Sequence, residues 1–191
     1  PMWLFGLSQE TFDFQRIHDL LRQTVTKAPC ATFIRRILNS VSSSGNPLME
    51  RGDLEKLFFN VLNQKKGGFT RNRIPGGGPY GSAGGTIKAN SRGDATIFLP
   101  EFPDPTLRNW SDAQGAIAEL MHLAGKTKYT DYELAVAVNA IPEYASEFRG
   151  SAENNPFDPS YAGNAKDKKS LGYSSFWHGV QDRICAVPQE D

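Results

Sequence analysis

The sequence predicts an α+β fold, mostly helical, with a small β-sheet or hairpin placed just before a central helix. Three observations carry this expectation. Apolar residues recur at helical spacing in three opening runs, two short β-prone runs flank a turn-rich loop, and two capped amphipathic helices follow. The 191 residues suffice for one domain with its own core. A single unit over 1–191 is expected, with a helical part over 1–66 and the hairpin, central helix and C-terminal helices over 67–191.

Phe12, Ile17, Leu20 and Leu21 mark the first helix, and Phe33, Ile34, Ile37, Leu38 and Val41 the second. Leu54, Leu57, Phe58, Val61 and Leu62 mark a third, after a turn-forming stretch from Ser42 to Pro47. Glycine then dominates from Gly67 to Gly93, which excludes regular helix. Gly76 to Gly81 formally reads G-x-G-x-x-G, yet no strand precedes it, a proline lies inside it and no helix follows. It therefore reads as a surface loop rather than a phosphate cradle. Thr86 to Ala89 and Ala95 to Leu99 are the β-prone runs, joined by Asn90 to Asp94 as a hairpin, and Pro100, Pro103 and Pro105 break the chain after them.

The central helix has Ser111 and Gln114 as a capping box and Gly125 as its left-handed end. Ile117, Leu120, Met121 and Ala124 form its buried stripe, which leaves Gly115, Ala118, Glu119 and His122 on the other side. Thr130 and Glu133 cap the next helix, whose inner face is Leu134, Ala135, Val138 and Ile141, with Pro142 just beyond. Glu143 to Lys169 is polar and turn-rich, and Phe176, Trp177, Val180 and Ile184 predict a closing helix.

Composition excludes several classes of function. Lys+Arg and Asp+Glu both number 21, so no global field attracts a polyanion, and nucleic acid is not the expected partner. The basic clusters at Lys65, Lys66, Arg71 and Arg73 and at Lys166 to Lys169 read as solvated loops. No apolar run approaches the roughly 20 residues that cross a bilayer, so no membrane partner is expected. Pro1 to Leu7 lacks the basic leader and cleavage site of a signal peptide, and a start at Pro1 fits a processed chain or a piece of a larger one. The two cysteines, Cys30 and Cys185, form either one bridge between the two ends of the chain, which fits an exported protein, or two separate buried thiols.

The chemistry concentrates in Ala118-Glu119-Leu120-Met121-His122. In H-E-x-x-H, two histidines one helical turn apart hold zinc and the Glu is the general base. Here His122 is the second ligand, Glu119 the base, and Ala118 stands where the first ligand belongs. Catalytic zinc needs three protein ligands and an open position. Asp131, at the start of the next helix, is the candidate third ligand, although an acid in a first helical turn is also favoured by the helix dipole. Tyr129 and Tyr132 are candidate donors to a tetrahedral oxyanion or to substrate, with aromatic packing as the plain alternative. His18 and His178 are spare imidazoles that could replace the absent ligand, but nothing in their spacing favours it, and both read as structural.

Glu119 to Gly125, followed by Tyr129-Thr130-Asp131 and Glu133-Leu134-Ala135, resembles the core of zincin-like metallopeptidase domains, whose usual form is H-E-L-x-H-L-x-G and then Y-S/T-D-x-x-L-A. Many such domains end large bacterial Rhs-repeat, polymorphic-toxin proteins. The segments Cys30 to Ile34 and Ser175 to Cys185 are similar to the opening helix and the aromatic and cysteine ending of these domains. The resemblance spans most of 28–186 and is specific over 117–135. It implies a zincin fold, a zinc ion, His122 and Asp131 as ligands, Glu119 as base, a protein or peptide substrate, and delivery outside the producing cell as part of a larger Rhs-type polypeptide. Ala118 departs from the pattern, as in a silenced enzyme or in a non-catalytic binding or toxin-cargo module that keeps the cleft. With one ligand missing, the site would bind zinc weakly or not at all.

Overall fold

The computed structural model describes residues 9–43, 69–70, 86–89, 95–99, 109–122 and 129–189. The expected helix over 54–62, most of the glycine-rich stretch and Gly125 lie outside the described residues.

Helix α1 spans Gln9–Val25 and α2 spans Cys30–Ser43. Their apolar residues recur every three or four positions, and Ile17, Leu20, Leu21 and Val25 of α1 are buried with Phe33, Ile34, Ile37, Leu38 and Val41 of α2. Each such side chain contributes about 1.5–3 kcal/mol by leaving water. Helix α3, Asn109–Met121, buries Ala113, Ala116, Ile117, Leu120 and Met121 and packs chiefly on α1. Helix α4, Asp131–Asn139, starts at a complete capping box: the Thr130 hydroxyl accepts from the Glu133 amide, and the Glu133 carboxylate accepts from the Thr130 amide. It packs on α2 and on α6. The short helix α5, Pro142–Ala145, follows with proline in its first turn, where a missing N–H costs nothing. The polar excursion then runs through turns and a 3-10 turn at Ala152–Asn154 to α6, Leu171–Ile184, which buries Tyr173, Phe176, Trp177 and Val180.

The expected α+β class is corrected here to a helical fold. The described body is 64% helix, and apart from Leu99 its apolar core comes from helices and the loops that join them. Strand pairing is confined to short backbone stretches, β1 at Phe69–Thr70, β2 at Thr86–Ala89 and β3 at Ala95–Phe98. Segments of two to four residues are shorter than ordinary strands and cannot supply a packing layer of their own. The small sheet or hairpin expected before the central helix is therefore withdrawn as a layer of the fold. Among the described residues no helix is long and apolar enough to cross a membrane.

Two local expectations also change. Gln114 does not cap α3 from within: its amide group donates to the Cys185 carbonyl at 2.9 Å and accepts from the Val187 amide at 2.9 Å. The helix begins at Asn109, so Ser111 lies inside its first turn rather than at the cap, and the Gln114 amide is turned instead to a distant segment. Ala118, expected on the polar side, is 6% exposed and belongs to the core. The structure joins Cys30, at the first position of α2, to Cys185, at the end of α6.

Candidate metal centre

Three elements converge on one point: the last turn of α3, the first residue of α4 and the middle of α6. His122 ends α3, where its amide is shared between the carbonyls of Ala118 and Glu119. The chain returns at Tyr129, whose amide donates to the His122 carbonyl at 2.9 Å. The Tyr129 carbonyl in turn lies 2.8 Å from Nδ1 of His122. A carbonyl can only accept, so Nδ1 carries the proton and Nε2 of the neutral ring presents its lone pair.

Nε2 of His122 faces Oδ1 of Asp131 at 3.3 Å. The same carboxylate oxygen accepts from Nε1 of Trp177 at 2.9 Å. Trp177 is fully buried, so its indole N–H needs this partner and in return fixes the carboxylate. The next residue on α6, His178, places Nε2 3.9 Å from Oδ1 of Asp131, and its Nδ1 lies 3.3 Å from the Ser174 hydroxyl one turn earlier. Its Nε2 is buried and makes no hydrogen bond. The two imidazoles stand nearly perpendicular with centroids 6.4 Å apart, and Trp177 meets His122 edge-on.

His122, Asp131 and His178 thus form a group that can hold a metal ion, with one ligand atom from each lying within 4.8 Å of the others. The donor set fits such an ion on two counts. A buried ring nitrogen that meets no donor is an accounting deficit in an empty protein and a ligand in a loaded one. The Tyr129 carbonyl and the Ser174 hydroxyl hold the far nitrogens, the usual outer arrangement around metal-binding histidines.

The protonation states follow from burial and neighbours. Burial is the strongest influence on His122 and pulls its pKa down, but hydrogen bonds to Asp131 and Tyr129 and the charges of Glu119 and Asp131 outweigh it and leave the pKa raised. Burial likewise pushes Asp131 up, yet hydrogen bonds from His122 and Trp177 and the nearby imidazoles hold it below the usual carboxylate range. Burial drives His178 down to about 4, only partly opposed by Asp131. At neutral pH His178 is therefore uncharged and ready to donate a lone pair.

These shifts set a pH dependence for the metal-free protein. Between pH 6.5 and about 4 the unfolded chain takes up a proton at His178 that the folded one refuses, so the His178 contribution to stability falls as pH falls through that window, while burial raises Asp182 to about 6 and its protonation in the folded chain opposes that fall over much of the same range. The depressed Asp131 adds a further loss at lower pH, whereas the raised His122 costs stability only as pH rises above 6.5. Urea unfolding across the window isolates the His178 part as a difference: relative to the unaltered protein, His178→Asn should gain stability as pH falls from 6.5 to about 4. A slope unchanged in the variant would contradict the assignment.

The structure treats the sequence-derived candidates unequally. It brings His122 and Asp131 together. Glu119 is half-buried in the turn before, and its charge reaches His122. Ala118 sits in the core. Tyr129 is 1% exposed and offers the site its carbonyl oxygen rather than a phenol directed at substrate. Tyr132 lines the cleft beside Asp131 and packs edge-on against Tyr173. His178, which the sequence reads as structural, stands in the group that can hold an ion, together with Trp177 as the indole that holds Asp131. The one signal in the sequence was a histidine directly after Trp177 on the predicted closing helix, at the flank of its buried face. Comparison with protein families, with curated proteins and with solved structures returns no match.

Proposed function

We propose that this chain is a zinc-dependent hydrolase of peptide bonds, with the ion held by His122, Asp131 and His178. The observation that carries the reading is the buried Nε2 of His178, which has no hydrogen-bond partner and faces the His122 and Asp131 pair. Two neutral imidazoles and one carboxylate are a common ligand set for catalytic zinc, which leaves one position open. In this reading His178, from α6, supplies the ligand that the H-E-x-x-H pattern places at position 118. Zinc when bound supplies Lewis acidity, polarising a carbonyl and making water acidic near neutral pH. His122 must release its extra proton before it ligates, and Asp131 is already ionised. Glu119, one helical turn from His122 and coupled to it by charge, is the group that would take the proton from water and return it to the leaving amine.

The bond between Cys30 and Cys185 fits an oxidising location, the setting that secretion or delivery outside the producing cell would provide. A second reading, a non-catalytic binding module that uses the same cleft, is favoured by the 3.3 Å contact between His122 and Asp131, which closes the pair on itself without an ion. One experiment separates the two. Incubated with zinc and a library of short unstructured peptides, the protein should release cleavage products, and Glu119→Gln should abolish cleavage while zinc stays bound. Zinc uptake without cleavage favours the binding module, and no zinc uptake rejects both the hydrolase and its metal.

A further inference from the structure

The site opens into a cleft of about 620 Å³. One wall is the start of α4, with Thr130, Asp131 and Tyr132, and the opposite wall is the end of the polar excursion, with Lys168 and Lys169. Both lysine side chains are exposed, and among the described residues neither ammonium forms an ion pair. Lys168 lies over the face of Tyr132, its Nζ 5.1 Å from the ring centroid, which holds the chain along the cleft and leaves the charge available.

The acids nearby are not paired with these ammonium groups. Asp131 is engaged by His122 and Trp177, and Oε1 of Glu133 lies 3.3 Å from the Thr130 amide and 3.0 Å from its hydroxyl. Asp167 turns Oδ1 to the backbone amide of Lys169 rather than to either ammonium. Just past the lysines α6 begins, capped by Ser170, with no acidic residue in its first turn, so the positive end of the helix dipole adds to the same wall. The cleft that holds His122 and Asp131 therefore also holds two ammonium groups with no ion pair of their own among the described residues, and a zinc ion on Asp131 would leave the lysines in excess over Glu133.

We propose that Lys168 and Lys169 select substrate, and that the preferred peptide carries an Asp or Glu side chain, or its own terminal carboxylate, close to the bond that is cut. The proposal rests on the hydrolase reading and names its substrate class. The lysine wall and the Tyr132 ring grip the aliphatic part and the carboxylate, while the peptide backbone passes His122 and Asp131. Lys166 to Lys169 are all exposed, as expected of a solvated loop, and two of the four also line the cleft.

The test compares matched fluorescent peptides that differ only in glutamate or glutamine at one position, with the unaltered protein and with a Lys168→Gln, Lys169→Gln double variant. Two exposed ion pairs are together worth about a fivefold to tenfold preference. The unaltered protein should favour the glutamate peptide by that ratio in kcat/KM, and the double variant should bring the ratio to about one with zinc content unchanged. Equal rates on both peptides with the unaltered protein, or a preference that survives in the double variant, would overturn the proposal. If no peptide is cut, the hydrolase reading fails, and anisotropy with the same two peptides still decides here. Tighter, lysine-dependent binding of the glutamate peptide supports the cationic wall, and charge-blind binding or none rejects it.

Discussion

Exchanging His178 for alanine should lower zinc affinity by about two orders of magnitude while the protein stays folded. The magnitude follows from dividing the roughly 10–16 kcal/mol of a four-ligand zinc site among its ligands, about 3 kcal/mol each. The fold should tolerate the change because Nε2 of His178 makes no hydrogen bond to lose, and alanine is the best helix former for the middle of α6. His18→Ala on α1 is the control, since His18 is not in the converging group, and it should leave zinc binding as it was. Isothermal titration with zinc, with circular dichroism to check folding, measures the difference. The His122 proton that must leave adds a second mark: affinity in the unaltered protein should rise with pH through the raised His122 pKa and level off above it. A His178→Ala protein that binds zinc as tightly as its parent would remove α6 from the site.

The second large effect concerns the bridge between Cys30 and Cys185, which closes a loop with a sequence separation of 155 residues. In the chain-entropy account, opening a loop of that length frees the unfolded chain by about 5 kcal/mol, a large share of the stability of an ordinary domain. The bridge ties the start of α2 to the end of α6, beside the Gln114 amide that clamps the Cys185 carbonyl and the Val187 amide. Both cysteines are buried, so the two thiols produced by reduction would have to be repacked in the core. Urea unfolding with and without a reductant, repeated on a Cys30→Ser, Cys185→Ser protein, should show a midpoint well below that of the oxidised chain. Coincident midpoints would mean that the bridge adds nothing.

Much of the helical framework was legible because burial imposes a period on the residues. The apolar spacing of α1, α2 and α6 marks their buried faces. The box of Thr130 and Glu133 is local chemistry, and local chemistry is what a sequence displays. His122 and Asp131 were likewise visible as a pair, since one ends a helix and the other begins the next. His178 was not, because its place beside them depends on how α4 packs against α6, and no spacing along the chain encodes that. Gln114 misled for a related reason. A cap and a tertiary clamp use the same amide, and the distant backbone of Cys185 and Val187 won. Ala118 misled through its neighbours: an apolar residue among Glu119 and His122 looked like part of a polar face, but a methyl group packs into the core at little cost. The β-prone runs over-weighted the sheet, since β-branched residues over four positions mark local extension and do not by themselves build a layer.

The central claim is that one ion sits among His122, Asp131 and His178, and X-ray absorption at the zinc edge of the loaded protein tests it most directly. The account predicts one zinc per chain, with two imidazole nitrogens and a carboxylate oxygen at about 2.0–2.2 Å and one imidazole lost in His178→Ala. A spectrum with water or sulfur ligands alone, or no zinc retained after dialysis, would contradict it.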